Sequence, residues 1–132
     1  MDTAKTRPFG LFLIRLALGV VMVAHGGQKI FSFGYAGVAG GMAQSGLPLP
    51  QVAAAVIIAV ELIGGLMMIA GLFTRWVGLA FGFAMVVASV FVHLPNGFFL
   101  PAGYEFTMML AAAAFGIALT GPGHFAIDKT GR

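Results

Sequence analysis

A carboxylate and a guanidinium stand in this sequence where hydrocarbon should be. Glu61 sits inside AVIIAVELIGGLMMIAGLF (residues 55–73), a run with no other charged side chain. Arg15 lies within an earlier apolar run that ends with His25, Gln28 and Lys29, while His93 and Glu105 fall near the ends of two later runs. This set of imidazoles, ammonium, amide and carboxylates could hold a carbonyl-bearing ligand or exchange protons with one. A charge at mid-membrane costs ~2.5–3.5 kcal/mol on insertion scales, so Glu61 must be paired, protonated or beside water. Other chemistries are absent. With no cysteine there is no disulfide, thiolate metal site or nucleophilic thiol. No H-E-x-x-H, phosphate loop or catalytic triad can be drawn, and no metal site is expected.

The elements that position these groups follow from composition. The 132 residues are 60% hydrophobic and 8% charged, with mean hydropathy +1.02. A soluble domain carries roughly 25% charged residues, so the expected fold is an all-α integral membrane bundle. Four spans are drawn at about 9–31, 50–73, 76–94 and 104–120, each near the ~20 residues that cross a bilayer. The first is longer than the ~7–15 apolar residues of a signal peptide and lacks an A-x-A site, so a retained span is expected. The uncharged segment 32–49 places Tyr35, Val38, Met42 and Leu47 among glycines, a pattern read as a short interfacial helix. Thr74-Arg75 reads as the tight turn between spans two and three.

Charge orients the bundle. Lys5, Arg7, Arg75, Lys129 and Arg132 gather at one end against Asp2 and the tail's Asp128, while the other end has only Lys29, which puts both termini in the cytoplasm. That asymmetry accounts for the net charge of +3 and the pI near 9.8 without a nucleic-acid partner. The lipid bilayer is the first partner. G-x-x-x-G at Gly78 and Gly82 marks either a packing face or a homodimer face.

At about 100° per residue, Arg15, Gly19, Met22, Gly26 and Lys29 share one face, and Glu61 shares another with Gly64, Gly65 and Met68. Glycines beside charges turn both faces inward. Counting roughly 1.5 Å per residue puts Arg15 about 9 Å deeper than Glu61 and His25 about 6 Å shallower. Two readings follow. The plainer one is an Arg15–Glu61 salt bridge joining the first two spans, with Lys29 snorkelling and Glu105 simply favourable in a helix's first turn. The sharper one makes Glu61 a proton carrier or ligand group, beside an outward-opening pocket of His25, Gln28, Lys29, His93 and Glu105 in which Glu105 holds Lys29. The two span histidines differ in depth by ~8 Å, which argues against haem.

With those residues in hand, the chain resembles the DoxX family. RLALGVVMVAHGGQKIF (15–31) is similar to the family's opening pattern, ELIGGLMMIAGLFTR (61–75) to its second-span signature, and FFLPAGYEF (98–106) to its approach to the last span. The resemblance implies a four-helix protein of the bacterial cytoplasmic membrane, associated with oxidoreductase systems that include quinol oxidase and thiosulfate:quinone oxidoreductase subunits. Whether the chain is itself an enzyme stays open. A quinone-interacting accessory subunit with a partner redox protein would show a cleft open to lipid, lined by His25, Lys29 and Glu61. A non-catalytic scaffold that anchors a partner enzyme would show those groups paired off with no cavity. A small-solute carrier would show a polar path leading past Arg15.

Overall fold

A computed structural model of the chain describes residues 2–129. Arg132, counted above among the cations of one end, lies outside them. Among the described residues every regular element is helical. Helix α1 (Thr3–Gln28) starts where the Asp2 carboxylate accepts the Ala4 amide at 3.1 Å. It runs on through a π-helical turn, Lys29–Phe33, before α2 (Gly34–Gln44). Helix α3 (Pro50–Ala70) opens with its proline in the first turn, where a missing N–H costs nothing. Helix α4 (Thr74–Ala88) likewise continues through a π-helical turn, Ser89–His93, and α5 (Glu105–Thr120) closes the bundle. The tight turn between α3 and α4 lies at residues 71–73, not at Thr74-Arg75. Gly71 takes φ +68° there and Leu72 N–H bonds back to Met67 O at 2.8 Å, a helix stop that needs glycine.

α1 with α2, α3, and α4 with the turns that follow it are each long and apolar enough to cross a membrane, and α5 is a shorter apolar helix. The outward faces carry exposed Leu13, Val56, Leu66, Phe83 and Leu119, a surface suited to lipid. The chain is a multi-pass membrane protein built as a four-helix bundle.

Glycines decide which helices touch. A Cβ on Gly65 would lie 2.9 Å from Val23 N, and one on Gly26 would lie 2.8 Å from Leu62 N, so α1 and α3 meet backbone to backbone. Gly78 does the same against Ala114 O of α5, and Gly82 against the Phe115 ring. Gly78 and Gly82 are therefore spent inside the chain, which takes this face away from the homodimer reading. The bundle is thus two close pairs, α1/α3 and α4/α5, joined along a core that includes Met22, Met68, Phe81 and Ile117.

One end is sealed by the tail. After α5, His124 N–H reaches Pro8 O at 2.9 Å and Asp128 N–H reaches Gly71 O at 2.7 Å. The Asp128 carboxylate accepts the amides of Phe73 (2.8 Å) and Thr74 (2.7 Å), capping α4 across the chain. Burial pushes this carboxyl up, but the amides of Thr74 and Phe73 and the charge of Arg15 outweigh it and hold it below the usual carboxylate range. A depressed folded value contributes stability above the unfolded value and loses it as pH falls through the folded one. Detergent melting curves should therefore fall for the wild type as the pH drops below the ordinary carboxylate range. Asp128→Asn should start lower at neutral pH and show a flatter acid limb; parallel curves would remove this cap from the pH response.

Candidate functional site

The close contact of Gly26 with Leu62 also sets Gly26 level with Glu61, whose Cβ lies 3.0 Å from a Cβ placed on that glycine. One turn further out on the same face comes Lys29. Its Nζ donates to both oxygens of Glu61, at 2.9 and 2.7 Å. The Glu61 side chain is 3% exposed and that of Lys29 21%, so the carboxylate is buried and the ammonium partly so. Charge-assisted bonds of this length are strong, and two of the ammonium's three N–H groups are used.

The expected Arg15–Glu61 salt bridge is not present. Depth counting set Phe31 and Pro50 level, whereas the Gly26–Leu62 contact offsets the two helices by roughly 10 Å from that alignment. Arg15, eleven residues before Gly26, is then roughly 16 Å away along the axis. It is fully buried and donates instead to five carbonyls: Pro122, Met68, Ile69, His124 and Phe125, at 2.7–3.0 Å. Met68 and Ile69 belong to the last turn of α3, whose carbonyls carry the negative end of the dipole; Met68 O also accepts the Gly71 N–H at 3.2 Å. Five N–H donors meet five acceptors, and the Phe12 ring lies 5.5 Å from the guanidinium carbon. The Glu105–Lys29 contact is also absent. Glu105 Oε1 accepts Leu100 N–H at 2.7 Å and organises the turn before α5.

Between the two helix pairs lies a cavity of about 660 Å³, lined by His25, Lys29, Glu61 and His93 together with a mostly apolar wall. Exposed Val56 and Phe83 also line it, so the space opens on the lipid-facing side. His93 Nδ1 lies 2.8 Å from Ala102 O and must donate to it, which leaves Nε2 as the free ring nitrogen. The His25 ring lies beside Phe106, with centroids 6.3 Å apart. Lys29 and His93 both stand on π-helical turns, a form that recurs at functional sites. Of the seven residues singled out from the sequence, the cavity gathers Glu61, His25, Lys29 and His93. Gln28 is exposed and outside it, and Arg15 and Glu105 are engaged elsewhere.

The sequence reading missed other parts of the wall. Met42 of α2 and Leu47 beyond it belong to the cavity, as does Thr107, whose Oγ1 lies 2.6 Å from Ser89 Oγ. A signal existed for Met42 and Leu47, large apolar residues in a glycine-rich segment that need a surface to cover. Thr107 had none beyond being a hydroxyl in an apolar run. Chemically, the site offers one spare ammonium N–H, two imidazoles and a counter-charged carboxylate to an apolar ligand with an acceptor at its edge.

Comparisons with known proteins agree with this architecture. The DoxX family model matches residues 10–94. Over 125 residues the chain is 33% identical to the Bacillus subtilis (strain 168) protein named "Putative oxidoreductase CatD", covering 94% of this chain and 88% of that protein. It is 27% identical over 134 residues to "Inner membrane protein YphA" of Escherichia coli (strain K12), covering 97% and 94% respectively. No solved structure matches the chain significantly.

Proposed function

The chain belongs to the DoxX family, and from that premise we propose that it is a membrane accessory subunit of an oxidoreductase system that holds a quinone beside Lys29 and Glu61. One observation carries the reading: a buried ion pair forms part of the wall of an otherwise apolar cavity of about 660 Å³. Such a site suits a ligand with a greasy body and a polar edge.

The residues fit that ligand. Lys29 keeps one N–H for a ring carbonyl while Glu61 holds the ammonium in place and balances its charge. His25 and His93 line the same space and can take up or release protons there. A quinone bound here would supply reversible two-electron chemistry. The sequence has no cysteine, so any thiol step belongs to a partner redox protein. The similarity to a protein named as an oxidoreductase supports this class of role.

Two competing readings are less well supported. A pure scaffold needs no cavity beside the ion pair. A solute carrier needs a path past Arg15, where five carbonyls close around the guanidinium. Lys5, Arg7, Arg75 and Lys129 favour cytoplasmic termini. With the similarity to an inner membrane protein, this favours the bacterial cytoplasmic membrane.

The test is native mass spectrometry with lipid extraction on protein purified in mild detergent, beside Glu61→Gln and His25→Ala. Wild type should retain a quinone that one or both variants lose while still folded. A folded wild type that carries no small molecule yet co-purifies with a second protein would overturn the quinone site in favour of a scaffold.

A further inference from the structure

At the sealed end of the bundle, far from the Lys29–Glu61 pair, a second cavity of about 510 Å³ opens between the start of α4 and the tail. Its lining includes Phe73, Arg75, Trp76, Thr120, Asp128 and Lys129. We propose that this cavity binds the phosphate headgroup of an anionic phospholipid.

Charge comes first. Two cations, Arg75 and Lys129, line the space against one carboxylate, and both oxygens of Asp128 are already engaged by the Phe73 and Thr74 amides. Arg75 is held in place rather than free. Its Nε donates to Ala118 O at 3.0 Å and its Nη2 to Leu119 O at 3.4 Å, the orphan carbonyls of the last turn of α5. Those two bonds leave three of the five guanidinium N–H groups for a ligand. Thr120 adds a hydroxyl to the lining, and Lys129 is an exposed ammonium. Planar guanidinium donors beside a point-charge ammonium suit phosphate oxygens.

Surroundings then select a lipid over a soluble anion. Phe73 and Trp76, both in the lining, and Leu119 beside it are among the most exposed apolar residues of the chain, with Trp76 72% exposed. They offer acyl chains a surface next to the headgroup site. A tryptophan at this level belongs to the interfacial belt, and basic pockets between helices at the cytoplasmic face are where anionic headgroups bind.

Trp76 is the only tryptophan in the sequence, so its emission reports on this cavity alone. The experiment reconstitutes the full chain in nanodiscs with brominated phosphatidylglycerol or brominated phosphatidylcholine at equal mole fraction and measures quenching of Trp76. Wild type should be quenched more by the anionic lipid, and each cation removed by Arg75→Gln or Lys129→Gln should lower the apparent preference by roughly fivefold. Lys129→Gln alters an exposed side chain and keeps the test readable should Arg75→Gln not fold. Equal quenching by the two lipids in wild type, or an excess unchanged in Lys129→Gln, overturns the proposal. In lipid-free detergent, inorganic phosphate should leave Trp76 emission unchanged. A saturable response to phosphate, with no preference between the brominated lipids, assigns the cavity to a soluble anion and overturns the lipid.

Discussion

Replacing Arg15 with methionine should unfasten the sealed end of the bundle and cost at least about 3 kcal/mol, because a hydrogen bond to a charged group contributes ~1.5–3 kcal/mol and five are lost together. Methionine keeps much of the volume and the apolar stem, so the change isolates the donors. What remains is a ring of carbonyls, two from the end of α3 and three from the tail, turned toward a fully buried site where, among the described residues, only Met68 O keeps another donor, the Gly71 N–H at 3.2 Å. An acceptor stranded in that way carries its full desolvation cost. The tail should then lift, since Arg15 is what draws Pro122, His124 and Phe125 toward α3. Two readouts check this: an SDS or thermal unfolding midpoint in detergent, and protease cleavage within residues 121–129 of the otherwise folded chain. Arg15→Lys should fall between, because an ammonium has three donors and cannot span five acceptors arranged for a planar fork. If Arg15→Met melts within about 1 kcal/mol of wild type and its tail resists protease, the clamp is not what secures this end.

The contrast between Arg15 and Glu61 shows where sequence reasoning reaches and where it stops. Composition and the lengths of the apolar runs were enough for a four-helix membrane bundle, since a chain this apolar has few other solvents available. Inward faces were legible too, because Gly19, Gly26, Gly64 and Gly65 mark close approach at helical spacing. The pairing was not. It depends on the axial register of α1 against α3, and a shift of roughly 10 Å, about seven residues of rise, replaces Arg15 by Lys29 as the partner of Glu61. Nothing within either helix states that register; it is settled by how Gly26 seats on Leu62 and Gly65 on Val23. The role of Arg15 was further out of reach. Its acceptors are backbone carbonyls, which every residue has, so no side-chain pattern in 121–128 announces them. Asp128 was counted as a tail charge for the same reason: its partners are the amides of Phe73 and Thr74, invisible to a search for opposite charges. His25, Lys29, Glu61 and His93 were found as candidates because ionisable groups are rare in spans; their gathering around one cavity needed the fold.

The Lys29–Glu61 pair allows stability and ligand binding to be separated, and a double-mutant cycle is expected to do so. Lys29→Met leaves a 3%-exposed carboxylate with no cation and should cost about 3–5 kcal/mol, the range for removing one member of a buried pair. Glu61→Met should cost less, because Lys29 is 21% exposed near a helix end and its stem can carry the ammonium toward the interface. The double variant Lys29→Met/Glu61→Met removes both charges and extends the apolar wall. Replacing a buried ion pair by well-packed apolar groups is often neutral or stabilising by about 1–4 kcal/mol, so the double variant should unfold later than Lys29→Met alone. Ligand retention should follow a different order. If Lys29 donates to a bound carbonyl, the double variant loses the quinone while regaining its stability, and no increase in apolar lining replaces that donor. Unfolding midpoints and the lipid extract, measured on the same four preparations, decide between the roles. A double variant that regains stability and keeps the quinone at the wild-type level would leave the pair as a helix fastener, with binding owed to the apolar wall. One that regains stability and releases it places the ammonium at the ligand, with Glu61 as the group that holds its charge there.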